Sequence, residues 1–116
     1  MAAKLIAFSF IFFGEVFVII VEILGARWYG LNNELFSSAF FKLFVPVTIG
    51  TGVLLAGYML GQAAFENIWI VSAISIGSVA IAEPIVAYAL TGQLPTLGAG
   101  IGFILGVLGL VAASFW

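Results

Sequence analysis

The run LIAFSFIFFGEVFVIIVEIL, Leu5 to Leu24, decides how the rest of the chain is read. Among its twenty residues only Ser9, Glu15 and Glu22 carry polar side chains. About 20 apolar residues in helical form cover roughly 30 Å, the hydrocarbon thickness of a bilayer. The run therefore predicts a membrane-spanning helix. It lacks a secretory cleavage pattern, so the helix is expected to be retained.

Outward from this run the same composition continues. Of 116 residues, 65% are hydrophobic and 7% charged, and the mean hydropathy is +1.34. A soluble domain is about 45–50% apolar and about 25% charged. Three further apolar segments follow, at about residues 44–65, 68–90 and 97–115. None shows the strand-length alternation of a membrane barrel. The expected fold class is all-α: a polytopic membrane protein whose single domain, residues 1–116, is made of four transmembrane helices.

Punctuation between the segments supports these bounds. Gly25 and Arg27 are helix-stop signals after the first run, and Trp28 and Tyr29 suit the headgroup level. Leu31 to Lys42 is the one polar stretch of any length. It reads either as a short helix in the interface or as the start of the second span. Pro46 then suits a first turn, or a kink if that helix begins earlier. Gly50, Gly52, Gly57 and Gly61 give segment two a slim face, and Gln62, Glu66 and Asn67 mark the next turn. Pro84 inside segment three predicts a kink, because it leaves the Ala80 carbonyl without its helical donor. Thr91 to Thr96 is short enough to make the last two segments an antiparallel hairpin, and Trp116 is expected at an interface.

Several functions are excluded. The chain has no cysteine and no histidine. Disulfides, thiol nucleophiles, Cys/His zinc sites and histidine acid–base chemistry fall away. No nucleophile–base pair, phosphate loop or metal cluster is visible, so neither enzyme activity nor a metal or other cofactor is expected. A net charge of −2 implies no nucleic-acid partner. The cations are Lys4 on one side and Arg27 and Lys42 on the other, a positive-inside bias of one residue. Either a partner or a translocase sets one orientation, or the chain inserts both ways.

The candidate chemistry rests on acidic residues. A charge in mid-span costs about 2.5–3.5 kcal/mol on insertion scales, so Glu15 should face a bundle interior or a wet cavity. Surrounded by Phe12, Phe13, Phe17 and Val18, it is a candidate proton carrier or cation ligand. The plainer reading is a neutral glutamic acid hydrogen-bonded between helices. Glu22, seven residues on, shares its stripe. It extends an acidic track, or snorkels to water, or pairs with Arg27. Glu83, just before Pro84, belongs either to the same site or to a loop tether. Glu34 and Glu66 read as solvated loop residues. In segment four, Gly98, Gly102 and Gly106 recur every four residues, with Gly109 beyond, the spacing that lets helices approach in lipid.

Some of these features resemble the small multidrug resistance family of the wider drug/metabolite transporter superfamily. They are Gly14-Glu15-Val16 in the first span, Gly77, Pro84, the Gly92-Gln93 turn before Pro95, and Gly102 and Gly109 in the last helix. Ile23 stands where that family has a lysine, and Ser72 and Ser75 stand where it has a tyrosine and a tryptophan lining the drug site. The first loop is longer than in that family. The resemblance implies an antiparallel homodimer in which Glu15 of both copies forms one site, shared by protons and a cationic or polar substrate. The expected substrate- and proton-binding set is Glu15, Glu22, Glu83, Ser72 and Ser75. The expected setting is the cytoplasmic (inner) membrane of a prokaryote, with membrane lipid as the surroundings. The alternatives are an accessory or structural subunit of a larger membrane assembly, and a flippase for a lipid-linked substrate.

Overall fold

The computed structural model describes residues 1–115, and all their side chains but those of residues 113 and 114. Trp116 lies outside the described residues. The chain forms four helices: α1 (Ala2–Ala26), α2 (Phe36–Phe65), α3 (Ile68–Thr91) and α4 (Leu97–Phe115). The described residues contain no strand. The first three helices are long and apolar enough to cross a membrane, and α4 is a shorter apolar helix. The protein is an all-α, four-helix membrane protein. Its surface fits lipid: Phe13, Phe41, Val45, Ile85 and Leu97 are all more than 60% exposed, and the large side chains wholly withdrawn from the surface are Ile11 and Val71.

The helices lie side by side. The molecule measures 45 × 34 × 17 Å, and one helix with its side chains is about 10–12 Å across. The 17 Å thickness accommodates two helices packed about 8–10 Å apart. α1 is central, with α2 on one flank and α3 on the other, and α3 carries α4. α2 also meets α3 near their shared turn, where a Cβ added to Gly61 would come 2.9 Å from Val71 Cγ2.

Two expected boundaries move. The first helix does not stop at Leu24: α1 runs to Ala26 and continues as a π-helical turn, Arg27–Leu31. Gly25 stays helical because it lies beside Leu43 of α2, and the chain beyond it keeps packing. The second helix starts at Phe36 rather than near Phe44, so Phe36 to Lys42 form its first turns and not a separate interfacial helix, while residues 32–35 stay a loop. Phe36, Phe40 and Phe44 stand one turn apart, with ring centroids 5.7 and 5.8 Å apart, and Tyr29 meets Phe36 edge-on at 5.6 Å. This aromatic column explains why the helix begins early. Pro46 is thereby interior to α2, where Thr48 and Thr51 donate to the carbonyls of Phe44 and Val47 at 2.7 and 2.8 Å.

The remaining turns are tight, as expected. Glu66 ends α2 in the left-handed region (φ 57°), and Asn67 caps α3 by accepting from the Trp69 N–H at 2.9 Å. Gly92 closes α3 at φ 71°, a conformation that glycine adopts without strain. The Thr96 hydroxyl accepts from the Ala99 N–H at 3.2 Å and opens α4. Pro84 is carried within a continuous α3.

The glycines expected to pack helices are mostly uncovered within the described residues. Around Gly98, Gly100, Gly102 and Gly109 an added Cβ would meet nothing within 4 Å, and at Gly106 it would reach only Ala80 Cβ, at 3.5 Å. Within the chain the close approaches lie elsewhere. Gly57 faces Ile11, Gly50 faces Phe17 and Val18, Gly14 faces Leu54, and Gly77 sits under Leu110. The periodicity of α4 was a true slim face, but α3 covers only one position of it.

Candidate functional site

The register of α1 on α3 builds the site. Two short antiparallel connections make α1 and α3 parallel neighbours. Ile11 and Val71 share a level, since both lie against Gly61. One turn further along each helix are Glu15 and Ser75. Ser75 is buried, at 6% exposure, and its Oγ donates to Glu15 Oε1 at 2.5 Å. Glu15 itself is half-buried.

The surroundings of Glu15 differ from the expectation. Phe13 is 65% exposed and turns away from the chain, while Phe17 and Val18 pack toward Gly50 of α2. Residues two apart on a helix point about 200° apart, so Phe13 and Phe17 cannot share the face of Glu15. The polar neighbour from α3 takes their place.

The same register carries Glu22 to the level of Ala82 and Glu83. Glu22 is exposed and half-buried Glu83 is close enough for its charge to act there, as is that of Glu15. The α1–α3 seam therefore carries Glu15, Glu22 and Glu83, with Glu15 and Glu22 about 10 Å apart along the axis. They are spaced out, and among the described residues no group of three possible ligands could hold a metal ion. Glu22 forms no ion pair with Arg27. Ser72 is half-buried on α3, without a hydrogen bond among the described residues. Ser78, buried at 4%, donates to the Ile74 carbonyl at 2.7 Å. Of the five expected residues, the structure joins Glu15 and Ser75 directly, sets Glu22 and Glu83 along the same seam about two turns on, and leaves Ser72 apart.

The loop residues also acquire places. Glu34 pairs with Lys42 at 3.5 Å, and Lys42 lies 5.6 Å from the Trp28 ring centroid. Glu66 is exposed.

A second feature was not expected from the sequence. An apolar groove of about 300 Å³ lies between the end of α1 and the first half of α2. Tyr29, Phe36, Phe40, Phe44 and Leu43 line it, and Glu22 is its one charged residue. The column Phe36–Phe40–Phe44 was the available signal, but a concave surface needs both helices. Comparison with family models, with characterised proteins and with solved structures finds no match.

Proposed function

We propose that this chain is a small proton-coupled transporter that exports a cationic or polar small molecule by alternating access, working as a homodimer in the inner membrane of a prokaryote. The observation that carries the reading is the Glu15–Ser75 pair, set in mid-span between apolar helices. A hydroxyl is both donor and acceptor. It donates to the Glu15 carboxylate and, by rotating, accepts from the carboxylic acid, so the pair tolerates a proton being gained and lost. A cation on the carboxylate and a proton on the acid are then exclusive occupants of one oxygen pair, which is the coupling that exchange requires. Two copies in opposite orientation supply the inverted repeats on which alternating access depends.

The test is proton release on adding candidate cations to purified protein, with uptake measured in vesicles. Glu15→Gln keeps shape and hydrogen bonding but cannot titrate. It is expected to abolish proton release and coupled uptake while the protein still folds. Glu22→Gln is expected to do much less. Unaltered uptake in Glu15→Gln sinks the reading.

A second reading is an accessory subunit of a larger assembly. The observation in its favour is the row Gly98, Gly102 and Gly109, which meets nothing within 4 Å among the described residues and suits a helix from another protein. Consistent recovery with foreign subunits and no cation-driven proton release would select it.

A further inference from the structure

α2 changes character at Pro46. We propose that the part before it, residues 36–45, is a lid: it hinges at Pro46, rocks away from α1 to widen the apolar groove, and is fastened shut by side chains of the π turn.

The hinge lies in the backbone. Pro46 has no N–H, so the Lys42 carbonyl loses its helical donor, and the proline ring crowds that same carbonyl. Thr48 and Thr51 donate to the carbonyls of Phe44 and Val47, a bond that bends helices. The proline and both threonines fall within about two turns, and proline is where sharp helix bends arise. Beyond the hinge, α2 is clamped at backbone level. Gly50 faces Phe17 and Val18, and a Cβ on Gly57 would stand 3.1 Å from the Ile11 backbone nitrogen.

Before the hinge the seating is looser. The groove of about 300 Å³ runs beneath the lid from Phe36 to Val47, and its other wall is α1 and the π turn. Atoms that face a void have already given up contacts, so lifting the lid breaks few of them. The face it uncovers meets lipid tails as apolar as the helix, so no hydrophobic penalty holds it down. What fastens it is the ends of side chains. Leu43 lies over Gly25, Phe36 meets Tyr29 edge-on at 5.6 Å, and the Lys42 ammonium lies 5.6 Å from the Trp28 ring centroid. Glu34 holds Lys42 in place at 3.5 Å. Exposed cation–π contacts and ion pairs are weak, so this fastening releases reversibly. From Pro46 to Ser37 the lid is an arm of about 14 Å, and a bend change of about 20° moves its tip by about 5 Å. The loop of residues 32–35, between the π turn and the lid, supplies the slack.

The test is spin-label distance measurement on the full chain in lipid nanodiscs, diluted with unlabelled chain so that distances within one chain are read. The sequence has no cysteine, so labels attach only at introduced ones. Ser37→Cys with Ile85→Cys reaches from the lid across α1 to α3, and Leu55→Cys with Ile76→Cys reaches across the clamped half; all four positions are exposed. The lid pair is expected to show two distances about 5 Å apart, and the clamped pair one. Pro46→Ala, which restores the donor to the Lys42 carbonyl, should leave the lid pair a single distance. Lys42→Gln should raise the ratio of long to short distance about threefold, the scale of one exposed cation–π contact. One distance for the wild-type lid pair, two for the clamped pair, two persisting in Pro46→Ala, or an unchanged ratio in Lys42→Gln overturns the proposal. Where Pro46→Ala does not fold, the other three measurements decide it. No substrate is added, so the result is independent of the transport reading.

Discussion

A single hydroxyl holds Glu15 where it is. Ser75 is buried and bonded to the carboxyl at 2.5 Å, while Ser72, one turn earlier, bonds to nothing among the described residues. Ser75→Ala strips a half-buried carboxyl of its donor and should lower stability by about 1–3 kcal/mol. Ser72→Ala should stay within about 0.5 kcal/mol. Chemical unfolding of both variants in mixed micelles reads the contrast, and equal losses would show that the bond contributes nothing. Glu15 was legible in the sequence because a charge in a twenty-residue apolar run is conspicuous. Its partner was not, because Ser75 lies sixty residues away and only the register of α1 against α3 selects it over Ser72.

At the scale of the helices, glycine spacing and glycine contact part company. Gly57 and Gly61 and the row Gly98–Gly102–Gly106 share the same four-residue spacing, yet the first pair is tightly covered and the second row mostly open. Spacing states that a face is slim; it does not state what lies on it. A Cβ at Gly57 would stand 2.9 Å from Ile11 Cγ1 and 3.1 Å from the Ile11 backbone nitrogen, which cannot rotate aside. Gly57→Ala should therefore destabilise the α1–α2 pair by about 1–3 kcal/mol. Gly102→Ala meets open space and gains helix propensity, so the chain's own stability should hold or rise by up to about 1 kcal/mol. Thermal unfolding in detergent distinguishes the two. Gly102→Leu should act only on association between chains, read from the oligomer population in lipid.

For the whole molecule the open question is which way it stands in the membrane. Lys4 lies 5.6 Å from the Phe65 ring centroid, so the N-terminus and the α2–α3 turn share one end. Arg27 and Lys42 belong to the other end, beside the π turn. The charge difference between the ends is a single residue, too small to impose an orientation strongly. Two lysines added beside Asn67 should fix the N-terminus in the cytoplasm, as read by reporter fusions at both ends. A wild type already found in one orientation would remove dual insertion and favour a partner-guided subunit.

The sequence by itself determined the class, the number of helices and the mid-span acid. These follow from apolar run length and from the cost of a charge in hydrocarbon, which are local quantities. Segments three and four were legible to within a residue, because Asn67, Gly92 and Thr96 act through hydrogen bonds to their own neighbours. The ends of α1 and α2 were not, because Gly25 ends a helix and Pro46 opens one only where packing does not oppose it. There the Tyr29–Phe36–Phe40–Phe44 column carries helix through both. Tertiary structure alone decided the Glu15–Ser75 bond, the seam that Glu22 and Glu83 share, and the groove. Each needs side chains from two helices at one level, and lipid, being as apolar as the helices, leaves that register to steric fit between faces.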